Sequence, residues 1–127
     1  MRQLTPPIVI LALNLDTIEK ELKLINDWGF KAKSVKGFYK GRGENSYVLE
    51  INDYNHLKIA ETLATSNGQE CILYSDDFRK TWLIYTNGER KYLGILHSVS
   101  EQEALKYDGY TFDHSTSSYW ITDNENS

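Results

Sequence analysis

Between positions 37 and 46 the chain reads Gly-Phe-Tyr-Lys-Gly-Arg-Gly-Glu-Asn-Ser, which sets one carboxylate, Glu44, at the end of a glycine-rich turn. Glu44 is the only acid between Asp27 and Glu50, in a stretch that carries Lys31, Lys33, Lys36, Lys40 and Arg42. A carboxylate set alone in basic, flexible surroundings is a candidate functional group, and Gly41 and Gly43 let the backbone take positive φ and approach a ligand closely. Two glycines in a hairpin also serve its geometry alone. No Gly-Lys-Ser/Thr closes the turn, and the residues after it read as a strand. A phosphate-cradling loop and a dinucleotide-binding turn, both of which open a helix, are thereby excluded.

Gln69 is the second candidate, coming directly after Gly68 at the entrance to an apolar segment. A neutral amide there offers a ligand both donor and acceptor, or satisfies a local turn. Cys71, inside that apolar segment, reads as a small core residue rather than a reactive thiol. His56, His97 and His114 have no metal-ligand spacing with it and no serine or cysteine at an activating distance in sequence. Lys36-Gly37-Phe38-Tyr39 imitates the start of an RNA-recognition signature, but on the second strand where the third is required. Lysines along residues 31–42 are the usual protection of a solvated edge strand. Trp28, Trp82 and Trp120 read as core or interface anchors.

The elements that must position these residues follow from pattern. Residues 8–14 are a continuous apolar run, as in a strand covered on both faces. Asp16 and Glu19 form a capping box for a helix through Ile18, Leu22, Ile25 and Trp28, which Gly29 ends. Residues 31–39 and Ser46–Ile51 read as two strands joined by the Gly41–Asn45 turn. Asn52 or Asp53 caps a helix with Leu57, Ala60, Leu63 and Ala64 inward, and Gly68 closes it before a strand at Cys71–Tyr74. The order is β-α-β-β-α-β, which predicts an α+β fold with a ferredoxin-like core over about residues 8–75. A mostly-β extension follows over about 80–122. It has a hairpin around Asn87-Gly88, a turn of helix capped by Ser100 with Glu103, and a last hairpin around residues 114–117, before a frayed tail at 123–127.

A chain of 127 residues reads as a single domain spanning 1–127. Its aromatic share of 13% with only two prolines suits strands rather than disorder. A net charge of −4 disfavours a general nucleic-acid binder. One cysteine permits no internal disulfide, which points to a reducing compartment. The apolar run after Arg2 is six residues long (Ile8–Leu13), too short for a signal peptide, and no stretch could span a bilayer, so a cytoplasmic protein without membrane contact is expected.

Taken in order, Gly37-x-Tyr39, a glycine-containing turn, Glu44-x-Ser46 and an apolar strand resemble the phage-encoded S-adenosylmethionine lyases, also called S-adenosylmethionine hydrolases. Gln69-Glu70-Cys71-Ile72-Leu73-Tyr74, the hairpin strand Leu83-Ile84-Tyr85, and Gly109-Tyr110-Thr111-Phe112 with Trp120-Ile121 extend the resemblance over about residues 8–122. The segment between Tyr39 and Glu44 is shorter than in several members of that family. The resemblance implies a cytoplasmic homotrimer with sites between subunits, on a core like that of the PII signalling proteins. It implies S-adenosylmethionine as substrate and no cofactor, metal or protein nucleophile. The substrate's own carboxylate would expel 5′-methylthioadenosine and leave L-homoserine lactone. In a phage this would deprive methylation-dependent restriction of its cofactor. Glu44 would hold the substrate ammonium, and Tyr39 would present a hydroxyl and a ring near the sulfonium or adenine. Ser46, Gln69, Gly41 and Gly43 would complete the binding site.

Two other readings stay open at this level. One is a non-catalytic module of the same superfamily that binds or sequesters a nucleotide-like ligand. The other is a small protein-interaction factor, whose aromatics such as Tyr119 and Trp120 serve partner contacts.

Overall fold

The computed structural model describes residues 6–12, 18–39, 42–66 and 68–123. The elements are β1 (Ile8–Ala12), α1 (Ile18–Asp27), β2 (Ala32–Tyr39), β3 (Arg42–Glu50), α2 (Tyr54–Ser66), β4 (Cys71–Ser75), β5 (Lys80–Tyr85), β6 (Arg90–Val99), α3 (Glu101–Ala104), β7 (Gly109–Asp113) and β8 (Ser118–Asp123). The expected Asp16 cap, the end of the first strand at 13–14, Gly41 and the tail at 124–127 lie outside the described residues.

The strands close on themselves in the order β1-β3-β2-β7-β8-β6-β5-β4, with β4 returning to β1. Every pairing is antiparallel. The ferredoxin-like, PII-like α+β core with a hairpin extension is therefore overturned. The order of elements through β4 is the expected one, but the sheet is a closed barrel, and the expected extension supplies half of its staves.

Two apolar layers explain the closure. Val9, Leu11, Leu49, Ile72 and Ile84 point outward and pack with Ile25 of α1 and Ala60, Leu63 and Ala64 of α2. Ile8, Ile10, Val35 and Val48 point the other way, where no helix lies, and meet Leu96, Leu73 and Trp120 instead. An open sheet would leave this second face in water. Curling β5–β8 around it buries the face and removes both sheet edges. β1 is thus covered on both sides, as its unbroken apolar run requires.

Closure also changes the meaning of the basic segment. β2 is not a solvated edge, because it pairs with β3 along its length and with β7 from Lys36 to Tyr39. Lys33 makes an ion pair with Asp113, which is fully buried at the end of β7, and its ammonium lies 5.0 Å from the centre of the Trp120 ring. Ser115 donates to the same carboxylate from its hydroxyl at 2.7 Å and its N–H at 3.0 Å. Burial by itself would raise the Asp113 carboxyl. These donors and the Lys33 charge outweigh it and hold the group at about 2.

Local signals account for the remaining boundaries. Gly29 and Gly68 end the two long helices at φ 77° and 74°. Asp53 caps α2 by accepting the His56 N–H at 2.9 Å. Ser100 caps α3 by accepting the Glu103 N–H at 3.2 Å. In the β5–β6 hairpin, Gly88 takes φ 92° and Asn87 Oδ1 accepts the Glu89 N–H at 2.9 Å.

Candidate functional site

The expected turn at 41–45 is not a turn. β3 begins at Arg42, and its ladder with β2 runs to the Tyr39–Arg42 pair, so only positions 40 and 41 connect the strands. Glu44 lies within β3, paired with Gly37 of β2. Ser46 and Val48 follow at alternate positions, and Val48 belongs to the barrel interior. Glu44 is therefore the exposed, rim-side member of an interior-facing row whose next member, Ser46, is buried.

Gln69 joins the same end of the barrel. Its Oε1 accepts the backbone N–H of Ala12 at 3.3 Å. Ala12 is the last residue of β1 and pairs with Ser46, beyond the final β1–β4 pair of Ile10 with Leu73. The side chain of Gln69 thus satisfies a strand-end N–H that the β4 backbone does not reach, and the accepting oxygen is committed while the amide NH₂ keeps its donors. Glu44, Ser46 and Gln69 thus lie at one end of the barrel, Ser46 on the β3 side of β1 and Gln69 on its β4 side.

The other expected members are placed differently. Tyr39 ends β2 with its backbone between Arg42 and Gly109 of β7, at the same end of the barrel. Gly43 lies on the outer face, away from Ser46, and its φ is not in the left-handed range. A Cβ there would meet Lys36 Cε at 2.9 Å and Phe38 Cε1 at 3.3 Å, so the missing side chain makes room for its neighbours on β2.

The remaining polar and aromatic residues have structural partners. His56 accepts the Asn52 N–H on Nδ1 at 3.3 Å, lies 3.0 Å from the Trp28 carbonyl through Nε2, and stacks on Phe30 at 4.2 Å. His97 lies in β6, and His114 sits in the β7–β8 turn edge-on to Phe112. Burial, and then the charge of Glu70, push the Cys71 thiol up, which disfavours a thiolate. Trp120 packs inside the barrel, whereas Trp28 is 56% exposed and anchors no core.

A groove of about 540 Å³ lies elsewhere, between α2 and the β5–β6 hairpin, lined among others by Lys58, Glu61, Thr65, Cys71, Tyr85 and Arg90. It contains none of Glu44, Ser46 or Gln69. Two interior residues escape a reading of the sequence. Thr111 pairs with Gly37 from the far side of β2, and Asp113 receives Lys33. The pattern of β7 alone does not say which strand it joins.

Residues 13–123 match the sequence model of the S-Adenosylmethionine lyase family. No curated protein matches the chain with significance.

Proposed function

The chain belongs to the S-adenosylmethionine lyase family, and we propose that it converts S-adenosylmethionine into 5′-methylthioadenosine and L-homoserine lactone at the barrel end that holds Glu44, Ser46 and Gln69. A carboxylate oxygen of the substrate forms a bond to its own γ-carbon. The bond from that carbon to sulfur breaks, and its electron pair returns to sulfur. The carboxylate and sulfonium charges cancel, leaving neutral methylthioadenosine and a lactone that keeps only its ammonium charge, so charge separation falls on the way to the transition state. Water stabilises the separated charges better than the neutralised ones. A site that replaces that water and folds the chain into attack distance accelerates the step.

Glu44 holds the ammonium, which leaves the substrate carboxylate unpaired and free to attack. Ser46 and the amide NH₂ of Gln69 orient polar edges of the ligand, and Tyr39 presents a ring toward the sulfonium or adenine. The observation that carries the reading is the placement of Glu44, Ser46 and Gln69, drawn from two separate segments, at one barrel end on either side of Ala12.

The proposal includes a homotrimer, in which Glu44, exposed at the barrel rim, would be open to a neighbouring subunit. Support for it comes from the outer face of β2 and β7, where Phe38 stacks on Tyr110 at 4.9 Å and Phe112 meets Tyr119 of β8 in a tilted contact at 4.7 Å, aromatic surface of the kind subunit contacts favour. It also includes a cytoplasmic location, compatible with the absence of any helix among the described residues long and apolar enough to cross a membrane. Depletion of S-adenosylmethionine would serve a phage as counter-defence against restriction.

Incubation of the purified protein with S-adenosylmethionine, followed by chromatography, is expected to yield methylthioadenosine and homoserine lactone in equal amounts. Ligand recovered intact, together with a raised melting temperature, would instead support the non-catalytic binder.

A further inference from the structure

Neither a left-handed φ nor a steric clash requires glycine at position 37. It lies inside β2, paired with Glu44 on one side and Thr111 on the other. Its φ is outside the left-handed range that favours glycine. A Cβ built on it would stand 3.6 Å from Ser46 Oγ and 3.8 Å from the Glu44 carbonyl, which is ordinary van der Waals contact. Glycine weakens a strand interior, and where neither turn nor crowding demands it, it marks a place where something approaches the backbone.

That place has walls. Residues directly paired across antiparallel strands share a face, so Glu44, Gly37 and Thr111 form one row on the interior face of β3, β2 and β7. Two strand spacings separate the backbones of Glu44 and Thr111, about 10 Å, with only hydrogen above the middle residue. The slot has a carboxylate on one side, a hydroxyl on the other and Ser46 Oγ along its inner edge.

We propose that Gly37 is the floor of a slot that takes the amino-acid end of S-adenosylmethionine, with Glu44 receiving the ammonium and Thr111 donating to the carboxylate. The inference rests on the function proposed above and adds two residues to it. A neutral hydroxyl suits the second task. It fixes one carboxylate oxygen without neutralising the charge that the other uses in attack, whereas a cation there would quench the nucleophile. The interior cation Lys33 is held away by Asp113, beyond Val35 on β2. Thr111 is thus a positioning residue, and Gly37 determines specificity by leaving space.

Calorimetric titration tests this with two probes, S-adenosylmethionine and its decarboxylated analogue, which keeps the ammonium and sulfonium but lacks the carboxylate. Gly37→Ala is expected to weaken binding of both probes tenfold or more, with a melting temperature equal to or above that of the unaltered protein. Thr111→Val is expected to weaken S-adenosylmethionine about tenfold and leave the analogue unchanged, and Thr111→Ser to restore the difference. Gly37→Ala binding as tightly as the unaltered protein would overturn the slot, and Thr111→Val weakening both probes equally would overturn the role of Thr111. An unaltered protein that binds neither probe would overturn the reading of the whole site, a result distinct from either.

Discussion

Glu44→Gln is expected to lower kcat/KM for S-adenosylmethionine by about 100-fold while leaving the melting temperature within a degree or two. The substitution keeps the shape of the side chain and removes its charge. Glu44 is exposed at the rim, so no core contact is lost. A hydrogen bond to a charged partner contributes about 1.5–3 kcal/mol, which sets the loss at one to two powers of ten. Both kinetic constants should move. The ammonium contact holds the ground state, and it also sets the angle from which the carboxylate reaches the γ-carbon. A change in KM alone would mean that Glu44 binds substrate without shaping the attack. An unaltered rate would remove Glu44 from the site.

Asp113→Asn is expected to destabilise the barrel by about 2 kcal/mol near neutral pH, a fall of roughly 6–10 °C in melting temperature. The amide has the volume of the carboxylate but turns a donor toward Lys33 or Ser115, both of which already donate. Lys33 is 41% exposed, so solvent screens the pair and keeps the effect below that of a fully buried one. The sign of the pH dependence follows from the depressed carboxyl. In the unfolded chain Asp113 takes up its proton near 3.9. In the fold it does so at about 2. Its stabilisation is complete above the first value and is lost as pH falls through the second. Thermal melts of the two proteins should therefore differ at pH 6 and converge toward pH 2. Equal melting temperatures at pH 6 would show that the Lys33–Asp113 contact does not hold the barrel shut.

Much of the local structure was legible because helices and hairpins declare themselves over short distances. Gly29, Gly68, Asp53, Ser100 and Asn87-Gly88 each stop, start or turn an element at the residue their chemistry predicts. Closure was not legible, because it depends on pairings between residues far apart in sequence. Lys36 with Phe112 and Ile8 with Ser75 leave no local mark. The lysines of β2 misled for the same reason. A cation pattern that protects an edge looks the same as one in which Lys33 turns inward to an acid eighty residues away.

The candidate site divides along the same line. Glu44, Ser46 and Gln69 stand out by residue type and context, and the fold sets them at one barrel end, on either side of β1, an element that bears none of them. The glycines could be noticed but not interpreted. Gly43 accommodates Lys36 and Phe38 on the outside of the barrel, while Gly37, part of the same motif, faces the inside, where a Cβ would make only ordinary contact with Ser46 Oγ and the Glu44 carbonyl. Only the register of three strands separates the two. Thr111 had no distinguishing mark at all until β7 was seen beside β2.

The central claim is that the substrate's own carboxylate, and not water, displaces the sulfur. Turnover in oxygen-18-labelled water, with mass spectrometry of the first products, tests it most directly. Internal attack predicts homoserine lactone free of label, and any homoserine formed later labelled only in its carboxylate. Label in the side-chain hydroxyl of homoserine would mean that water attacked the γ-carbon, and the mechanism proposed for the Glu44 site would be wrong.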